Sequence, residues 1–159
     1  MELLEYIHKG GVIAWVLLVM GTFGVSIVLY KVGEFYKMSR SLHGIWEEMA
    51  QANPSGAHMK EHIALFVSKK EYGLPTVRTI ATISPLLGLL GTVLGVLLAF
   101  EQISLLGLDD PKVFSEGISL ALITTVVGLG VAIPHYIAYN YLIHRLDLLQ
   151  TELESKGNP

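Results

Sequence analysis

Residues 79–100 read TIATISPLLGLLGTVLGVLLAF and contain no Asp, Glu, Lys or Arg. A helix of this length rises about 1.5 Å per residue and reaches roughly 30 Å, the thickness of a bilayer's hydrocarbon layer. Residues 10–30 and 117–144 are equally free of these charged residues. Hydrophobic residues make up 52% of the chain, and its mean hydropathy is +0.52, which is high for a soluble domain. We therefore predict an all-α integral membrane protein with three transmembrane helices rather than a soluble helical bundle.

The second and third apolar segments carry matching rows of small residues. Both rows step by four, three, four and four residues, a spacing that keeps them on one face of a helix. Small residues let helix backbones approach closely in lipid, so we predict that these two faces pack. The first row is Ser84, Gly88, Gly91, Gly95 and Ala99, and the second is Gly117, Ala121, Thr124, Gly128 and Ala132.

A further threonine stands beside each row, Thr92 in the first segment and Thr125 in the second. Thr92 lies nine residues before Glu101, and Thr125 lies nine residues after Glu116. Because the two helices would run antiparallel, both threonines fall about 13–14 Å inward of the outer helix ends. In a ring of subunits their hydroxyls would form a collar that hydrogen-bonds water or a carboxyl group. The alternative is that each hydroxyl bonds a carbonyl of its own helix.

The two glutamates do not share the face of the threonines. Nine residues at about 100° per residue leave half a turn between them, so we predict that Glu101 and Glu116 are subunit contacts or mouth charges rather than pore ligands. No Asp, Glu, Lys or Arg lies at the threonine level. A proton path usually needs an ionisable group in the membrane, so a partner helix would have to supply a carboxylate.

Basic residues set the predicted orientation. The connection between the first two segments holds seven of them, whereas the short, acidic connection between the last two holds one, Lys112. The positive-inside rule then puts the long connection and the C-terminus in the cytoplasm and the N-terminus outside. We divide the chain into six segments. The first three are a periplasmic N-terminus with the first transmembrane helix (1–31), a cytoplasmic helical connection (32–78) and the second transmembrane helix (79–106). The last three are a short periplasmic loop (107–112), the third transmembrane helix (113–141) and a cytoplasmic C-terminal helix (142–159).

The cytoplasmic connection is too short to bury a core of its own. We predict two short helices that pack on a cytoplasmic extension of the third span. A turn at 53–56 separates these helices, and Gly73 with Pro75 ends the second one. The three expected apolar faces are Leu42, Ile45, Trp46 and Met49; Ile63, Phe66 and Val67; and Leu142, Leu146, Leu149 and Leu153.

Other candidate sites are weak. The apolar run 10–30 is too long for a signal peptide, so we interpret it as a retained helix. The absence of cysteine excludes disulfides, Cys-ligated zinc and thiol catalysis. His58 and His62 have a spacing that zinc can use, but without a third ligand we interpret them as a solvated face and expect no metal. His135 follows Pro134, and we expect it to pack at the interface rather than act by titration. No phosphate-binding loop, nucleophile–base arrangement or basic stripe is present, so we expect no enzyme activity, cofactor or nucleic acid.

The runs SPLLGLLGTVLG at 84–95, ALITTVVGL at 121–129 and AIP at 132–134 resemble the MotA/TolQ/ExbB proton-channel family, most closely its ExbB and TolQ branch. The resemblance implies a pentamer in the cytoplasmic (inner) membrane of Gram-negative bacteria. Such a ring surrounds the single-span helices of an ExbD- or TolR-like partner, whose membrane aspartate carries protons. Proton flow drives motion that passes to a TonB- or TolA-like protein, and Thr92 and Thr125 match the polar pore positions.

One position departs from the family pattern. Many relatives have a glutamate five residues before the second threonine, where this chain has Leu120, and its nearest acid is Glu116. The resemblance implies a pore-forming subunit of an ExbB/ExbD-type motor that uses the proton-motive force to energise TonB-dependent outer-membrane transport. The alternatives are a TolQ-like subunit in envelope maintenance and a non-conducting membrane scaffold. The short cytoplasmic region disfavours four-span flagellar stators, and the choice between proton and sodium stays open.

Overall fold

The computed structural model is all-helical over the residues that it describes, which are 8–40, 44–47, 51, 58–107 and 111–156. Its four long helices are α1 (Gly11–Arg40), α2 (Met59–Glu71), α3 (Leu74–Leu106) and α4 (Pro111–Lys156). Three of them contain segments long and apolar enough to cross a membrane, namely Gly11–Met38, Leu74–Leu105 and Phe114–Lys156. The three predicted spanning helices are therefore present, as in a multi-pass integral membrane protein.

The helices extend beyond the predicted membrane segments. α1 continues past position 31 to Arg40, and α3 begins at Leu74, ahead of position 79. α3 starts where the sequence predicts, because Gly73 adopts a left-handed φ of 90° and Pro75 occupies the first turn. Pro111 and Lys112, which we assigned to the loop, are instead the first residues of α4, since the fixed φ of proline suits a helix N-terminus. The membrane boundaries themselves stay predictions.

α3 and α4 form an antiparallel hairpin with the most extensive contact in the molecule, and α1 packs against both. The α1 contact uses glycines. A Cβ at Gly21 would lie 3.1 Å from the Val131 side chain, and one at Gly24 would overlap the His135 ring. α1 therefore rests directly on large side chains of α4.

At the opposite end from the α3–α4 connection, α4 carries the core of the predicted cytoplasmic region. The four leucines of its predicted C-terminal apolar face are buried, as the sequence predicts, and they pack with α1, α2 and the start of α3. Ile45 and Trp46 pack on this cluster, whereas Leu42, Met49 and the turn at 53–56 lie outside the described residues. The buried members of the cluster are Met38, Ile63, Val67, Leu74, Leu142, Leu146, Leu149 and Leu153.

α4 is one unbroken helix of 46 residues. The predicted third span and the predicted C-terminal helix are thus two parts of a single element. It contains Pro134, and α3 contains Pro85. Each proline removes one hydrogen bond to the preceding turn, which membrane helices tolerate when neighbouring helices pack around the site.

Candidate functional site: the α3–α4 contact and its threonines

The two rows of small residues meet at the α3–α4 contact. All ten are buried: Ser84, Gly88, Gly91, Gly95, Ala99, Gly117, Ala121, Thr124, Gly128 and Ala132. The structure therefore brings together, within one chain, the two faces whose packing we predicted from their spacing.

The backbones of α3 and α4 approach too closely for larger residues. A Cβ at Gly95 would lie 2.6 Å from the carbonyl oxygen of Gly117 and 2.8 Å from the nitrogen of Ala121. A Cβ at Gly128 would lie 2.7 Å from the carbonyl oxygen of Ser84. Real Cβ atoms do not come this close to backbone atoms, so glycine is required at both positions for the helices to keep this separation.

Thr124 belongs to this packed contact. Its side chain fills the space that a Cβ at Gly91 would occupy. Its hydroxyl lies within hydrogen-bond reach of the carbonyl oxygens of Leu120, at 3.0 Å, and Ala121, at 2.9 Å. A hydroxyl satisfied by its own helix can be buried at little cost, so Thr124 acts here as a small packing residue.

Thr92 and Thr125 are half-buried and bond differently. The Thr92 hydroxyl donates to the carbonyl oxygen of Leu89 in its own helix at 2.6 Å, which is the alternative that the sequence left open. The Thr125 hydroxyl reaches across to the carbonyl oxygen of Gly88 at 3.5 Å. Because this second bond is at the long limit for a hydrogen bond, the Thr125 hydroxyl can exchange it for a better acceptor.

Both threonines lie at the same edge of the α3–α4 contact. Each follows a buried row residue by one position, Gly91 in α3 and Thr124 in α4. One step along a helix rotates the side-chain direction by about 100°. In two antiparallel helices that face one another, this rotation points both side chains to the same side of the contact. Gly88 contacts Thr125 directly, so Thr92 and Thr125 differ in depth by about one helical turn, or about 5 Å. The equal depth predicted from their spacing to Glu101 and Glu116 is therefore wrong, because α3 and α4 are offset along their axes.

The edge that carries the threonines is otherwise apolar. Leu89 and Val96 lie three and four residues from Thr92, and Leu122 and Leu129 have the same relation to Thr125. All four side chains are exposed. Two hydroxyl groups thus interrupt an exposed hydrophobic surface near the middle of the apolar helices.

Glu101 and Glu116 are both exposed. Glu116 lines a cavity of about 500 Å³ at the end of the helices where α3 connects to α4, with His8 and Lys9 before α1 and Gln102 on α3. Leu120, at the position where many relatives have a glutamate, is half-buried, and its Cδ1 lies 3.6 Å from where a Cβ at Gly11 would stand. This position therefore faces α1, and the roles predicted for the glutamates stay predictions.

The histidines fall into two environments. His58 and His62 are exposed, and the Nδ1 atom of His58 lies 3.4 Å from a carboxylate oxygen of Glu61. Among the residues that the structure describes, no group of three or more His, Cys, Asp or Glu side chains could hold a metal ion. His135 is buried between α1 and α4, with 3% of its surface exposed.

Sequence reasoning missed a partly buried ion network between α1 and α2. The Lys31 ammonium group donates to a Glu34 carboxylate oxygen at 2.8 Å and to the carbonyl oxygen of Lys70 at 2.9 Å. Lys70 donates to the other Glu34 oxygen at 2.7 Å. The network borders a cavity of about 840 Å³ that Tyr30 and Tyr72 also line. Lys70 lies 39 residues beyond Lys31 in the chain, so no local pattern could have indicated the contact.

The fold and the site together define a class: an α-helical membrane protein in which two spans pack through a glycine-rich contact with paired threonines. A model of the MotA/TolQ/ExbB proton channel family matches residues 35–155. The chain belongs to this family.

Individual relatives agree with the predicted closeness to ExbB. A putative biopolymer transport protein ExbB homolog of Methanothermobacter thermautotrophicus is 31% identical over 181 aligned residues, covering 91% of this chain and 64% of the relative. The biopolymer transport protein ExbB of Helicobacter pylori is 48% identical over 66 residues, 42% of this chain and 46% of the relative. The Tol-Pal system protein TolQ of Haemophilus influenzae is 36% identical over 86 residues, 54% of this chain and 38% of the relative. The chain thus spans less than two thirds of the length of each of these relatives.

Proposed function

We propose that this chain is the pore-forming subunit of an ExbB/ExbD-type motor that uses the proton-motive force to energise TonB-dependent transport across an outer membrane. In this proposal copies of the chain form a pentamer in the inner membrane, with their N-termini in the periplasm. The observation that carries the proposal is the pair Thr92 and Thr125 at one edge of the α3–α4 contact, in a chain of this family.

The composition of the spans supports a partner with its own ionisable group. Residues 79–100 and 117–144 contain no Asp, Glu, Lys or Arg, and their histidines, His135 and His144, lie well beyond the level of the threonines. At that level the chain by itself lacks the ionisable group that a proton path usually needs in a membrane. A hydroxyl can donate to an ionised carboxylate and accept from a protonated one. The threonine edge thus suits both states of a carboxyl group on a single-span, ExbD- or TolR-like partner helix in the ring.

The alternative pathway is a TolQ-like role in envelope maintenance, with a TolA-like protein in place of a TonB-like one. The similarity to the TolQ protein of Haemophilus influenzae supports this alternative. The two pathways share the ring, the partner helix and the proton step and differ in the periplasmic protein that is moved. Loss of siderophore uptake in a deletion strain would indicate the first role, and detergent sensitivity with normal uptake would indicate the second.

Thr125→Val tests whether the threonine edge takes part in ion transfer. Valine keeps nearly the same shape and removes the hydroxyl. A hydrogen bond to a charged group contributes about 1.5–3 kcal/mol, so its loss should slow proton transfer roughly tenfold or more. The measurement is acidification of liposomes that contain the chain co-purified with its single-span partner and an internal pH dye. We expect Thr125→Ser to retain much of the flux.

The matched control is Thr22→Val. Thr22 is also a span threonine whose hydroxyl bonds a backbone carbonyl oxygen, that of Leu18 at 2.9 Å, but it lies on α1, away from the α3–α4 contact. This variant should leave the flux unchanged. Native mass spectrometry checks that every variant still assembles with the partner.

If the double variant Thr92→Val, Thr125→Val assembles and conducts normally, the threonines are packing residues and the proposed ion path is wrong. If the unsubstituted complex does not conduct at all, the scaffold alternative is correct.

A further inference from the structure

The ring of His135 lies where α4 meets α1 and α3, and its hydrogen bonding fixes one tautomer. The Nδ1 atom is 2.6 Å from the carbonyl oxygen of Val131. A carbonyl oxygen can only accept, so Nδ1 carries a hydrogen, and in the neutral ring Nε2 presents a lone pair. Nε2 is buried and has no hydrogen-bond partner among the described residues.

The space around Nε2 is closed. A Cβ added to Gly24 of α1 would overlap Nε2, and the Cδ1 atom of Ile80 in α3 lies 2.9 Å from the same point. The ring edge therefore presses against the bare backbone of α1 on one side and an apolar side chain on another. No room is left there for a water molecule, which needs a polar site of its own size.

The charged groups nearest in sequence on the three helices would not stabilise a positive ring. α1 has no charged residue between Lys9 and Lys31, α3 has none between Arg78 and Glu101, and α4 has none between Glu116 and Arg145. At the end of the helices where His135 lies, the first charged residue on each is thus a cation. Lys31 is held by Glu34 and the Lys70 carbonyl, and Arg78 lies over the Tyr139 ring. The other titratable side chains on these helices near His135 are Tyr30, Tyr136, Tyr139, Tyr141 and His144.

We propose that His135 is a proton-binding site that controls the packing of α1: uptake of a proton from water at Nε2 separates α1 from α3 and α4. The added hydrogen would need an acceptor, and Nε2 has none among the described residues. A buried charge without a partner is costly, so the protonated state is reached by moving α1 until water contacts Nε2. The contact is therefore closed at high pH and opens as pH falls. The inference rests on the burial of His135 and does not depend on the proposed function.

The test uses the absence of cysteine from the chain. Spin labels are attached to Leu29→Cys on α1 and Ile137→Cys on α4, both exposed positions near the contact. The double-cysteine chain is co-expressed with an excess of the cysteine-free chain, purified and then spin-labelled. The distance between the two labels is measured by double electron–electron resonance at about pH 8 and about pH 5, on either side of the usual pKa range of histidine side chains. We expect the distance to increase at low pH by about 3 Å, the diameter of a water molecule.

Four substitutions separate the effect of His135 from a general effect of acid. His135→Leu and His135→Phe cannot bind the proton, so the distance should no longer depend on pH in either. His144→Gln removes an exposed histidine of the same helix and should leave the pH dependence intact. Gly24→Ala places a methyl group against Nε2 and should give at pH 8 the longer distance that the parent protein shows at pH 5. An unchanged distance in the parent protein, or a shift that persists in both His135 variants, would overturn the proposal.

Discussion

At the scale of single residues, the α3–α4 contact depends on glycines, which have no side chain. Gly88, Gly91, Gly95, Gly117 and Gly128 allow one helix backbone to lie on the other, and a Cβ at any of them would meet an atom of the opposite helix within 3 Å. Gly130 differs, because a Cβ there would meet nothing within 4 Å. Glycine is therefore needed at specific positions of α4 and not along its whole length.

Gly95→Ala should destabilise the hairpin, whereas Gly130→Ala should not. The new methyl group at position 95 would meet backbone atoms of Gly117 and Ala121, which cannot rotate away. Overpacking of this kind costs about 1–3 kcal/mol, while alanine in an open helical position is about 1 kcal/mol better than glycine. The measurement is the temperature at which the purified protein loses its monodisperse size-exclusion peak. Equal temperatures for the two variants would contradict the close contact.

The sequence predicted this contact because two rows with the same steps are a local pattern visible without a partner. The contact of α1 could not be predicted in the same way. Gly21 and Gly24 are three residues apart and do not form a longer row of small residues. They face Val131 and His135 rather than small residues of α4. A glycine that accommodates a large side chain from another helix carries no matching signal in that helix. Whether a threonine hydroxyl bonds its own helix, as in Thr92, or the neighbouring helix, as in Thr125, depends on tertiary packing, so the sequence left two alternatives.

At the scale of helices, the junction between α2 and α3 is held to α1 by the Lys31 network. The Lys70 carbonyl belongs to the last turn of α2 and has no partner within that helix. The Lys31 ammonium group binds this carbonyl and also neutralises Glu34. Lys31 thus connects the first span to the helix that precedes the second, and the Lys70–Glu34 ion pair is a second connection between the same two helices.

Lys31→Met should loosen α2 and leave the spans in place. Losing a hydrogen bond to a charged group costs about 1.5–3 kcal/mol, which corresponds to roughly 10–100-fold faster exchange through local opening. Hydrogen–deuterium exchange of the α2 amides, followed by mass spectrometry, measures the effect. Lys37→Met removes an exposed lysine from the same helix and serves as the control. Exchange that rises equally in both variants would mean that the network does not hold α2.

At the scale of the whole molecule, helix types and their order were predictable, because long charge-free segments and the break at Gly73 and Pro75 are local features. The extent of α4 was less so. Apolar periodicity gave the leucine face from 142 to 153, but nothing in the sequence marks where the bilayer ends along a continuous helix. The orientation rests on charge asymmetry alone.

Cysteine labelling tests the orientation, since the chain has no cysteine of its own. A cysteine in place of Asp109 should react with a membrane-impermeant maleimide added to intact spheroplasts, because the short acidic connection is predicted to lie outside. A cysteine in place of Lys60 should react only after the membrane is permeabilised. The reverse pattern would show that the positive-inside rule gives the wrong orientation for this chain.

The unbroken course of α4 has a mechanical consequence. Thr125 and Leu153 stand on the same helix, 28 residues apart, or about 42 Å at the usual helical rise. Such a helix behaves as a shaft. A tilt or twist applied at Thr125 is transmitted to the buried leucines without passing through a loop. In the proposed motor, torque generated inside the bilayer would reach α2 and the end of α1 through the leucine cluster. Pro134, which lacks one stabilising hydrogen bond, is the point at which this lever would bend first.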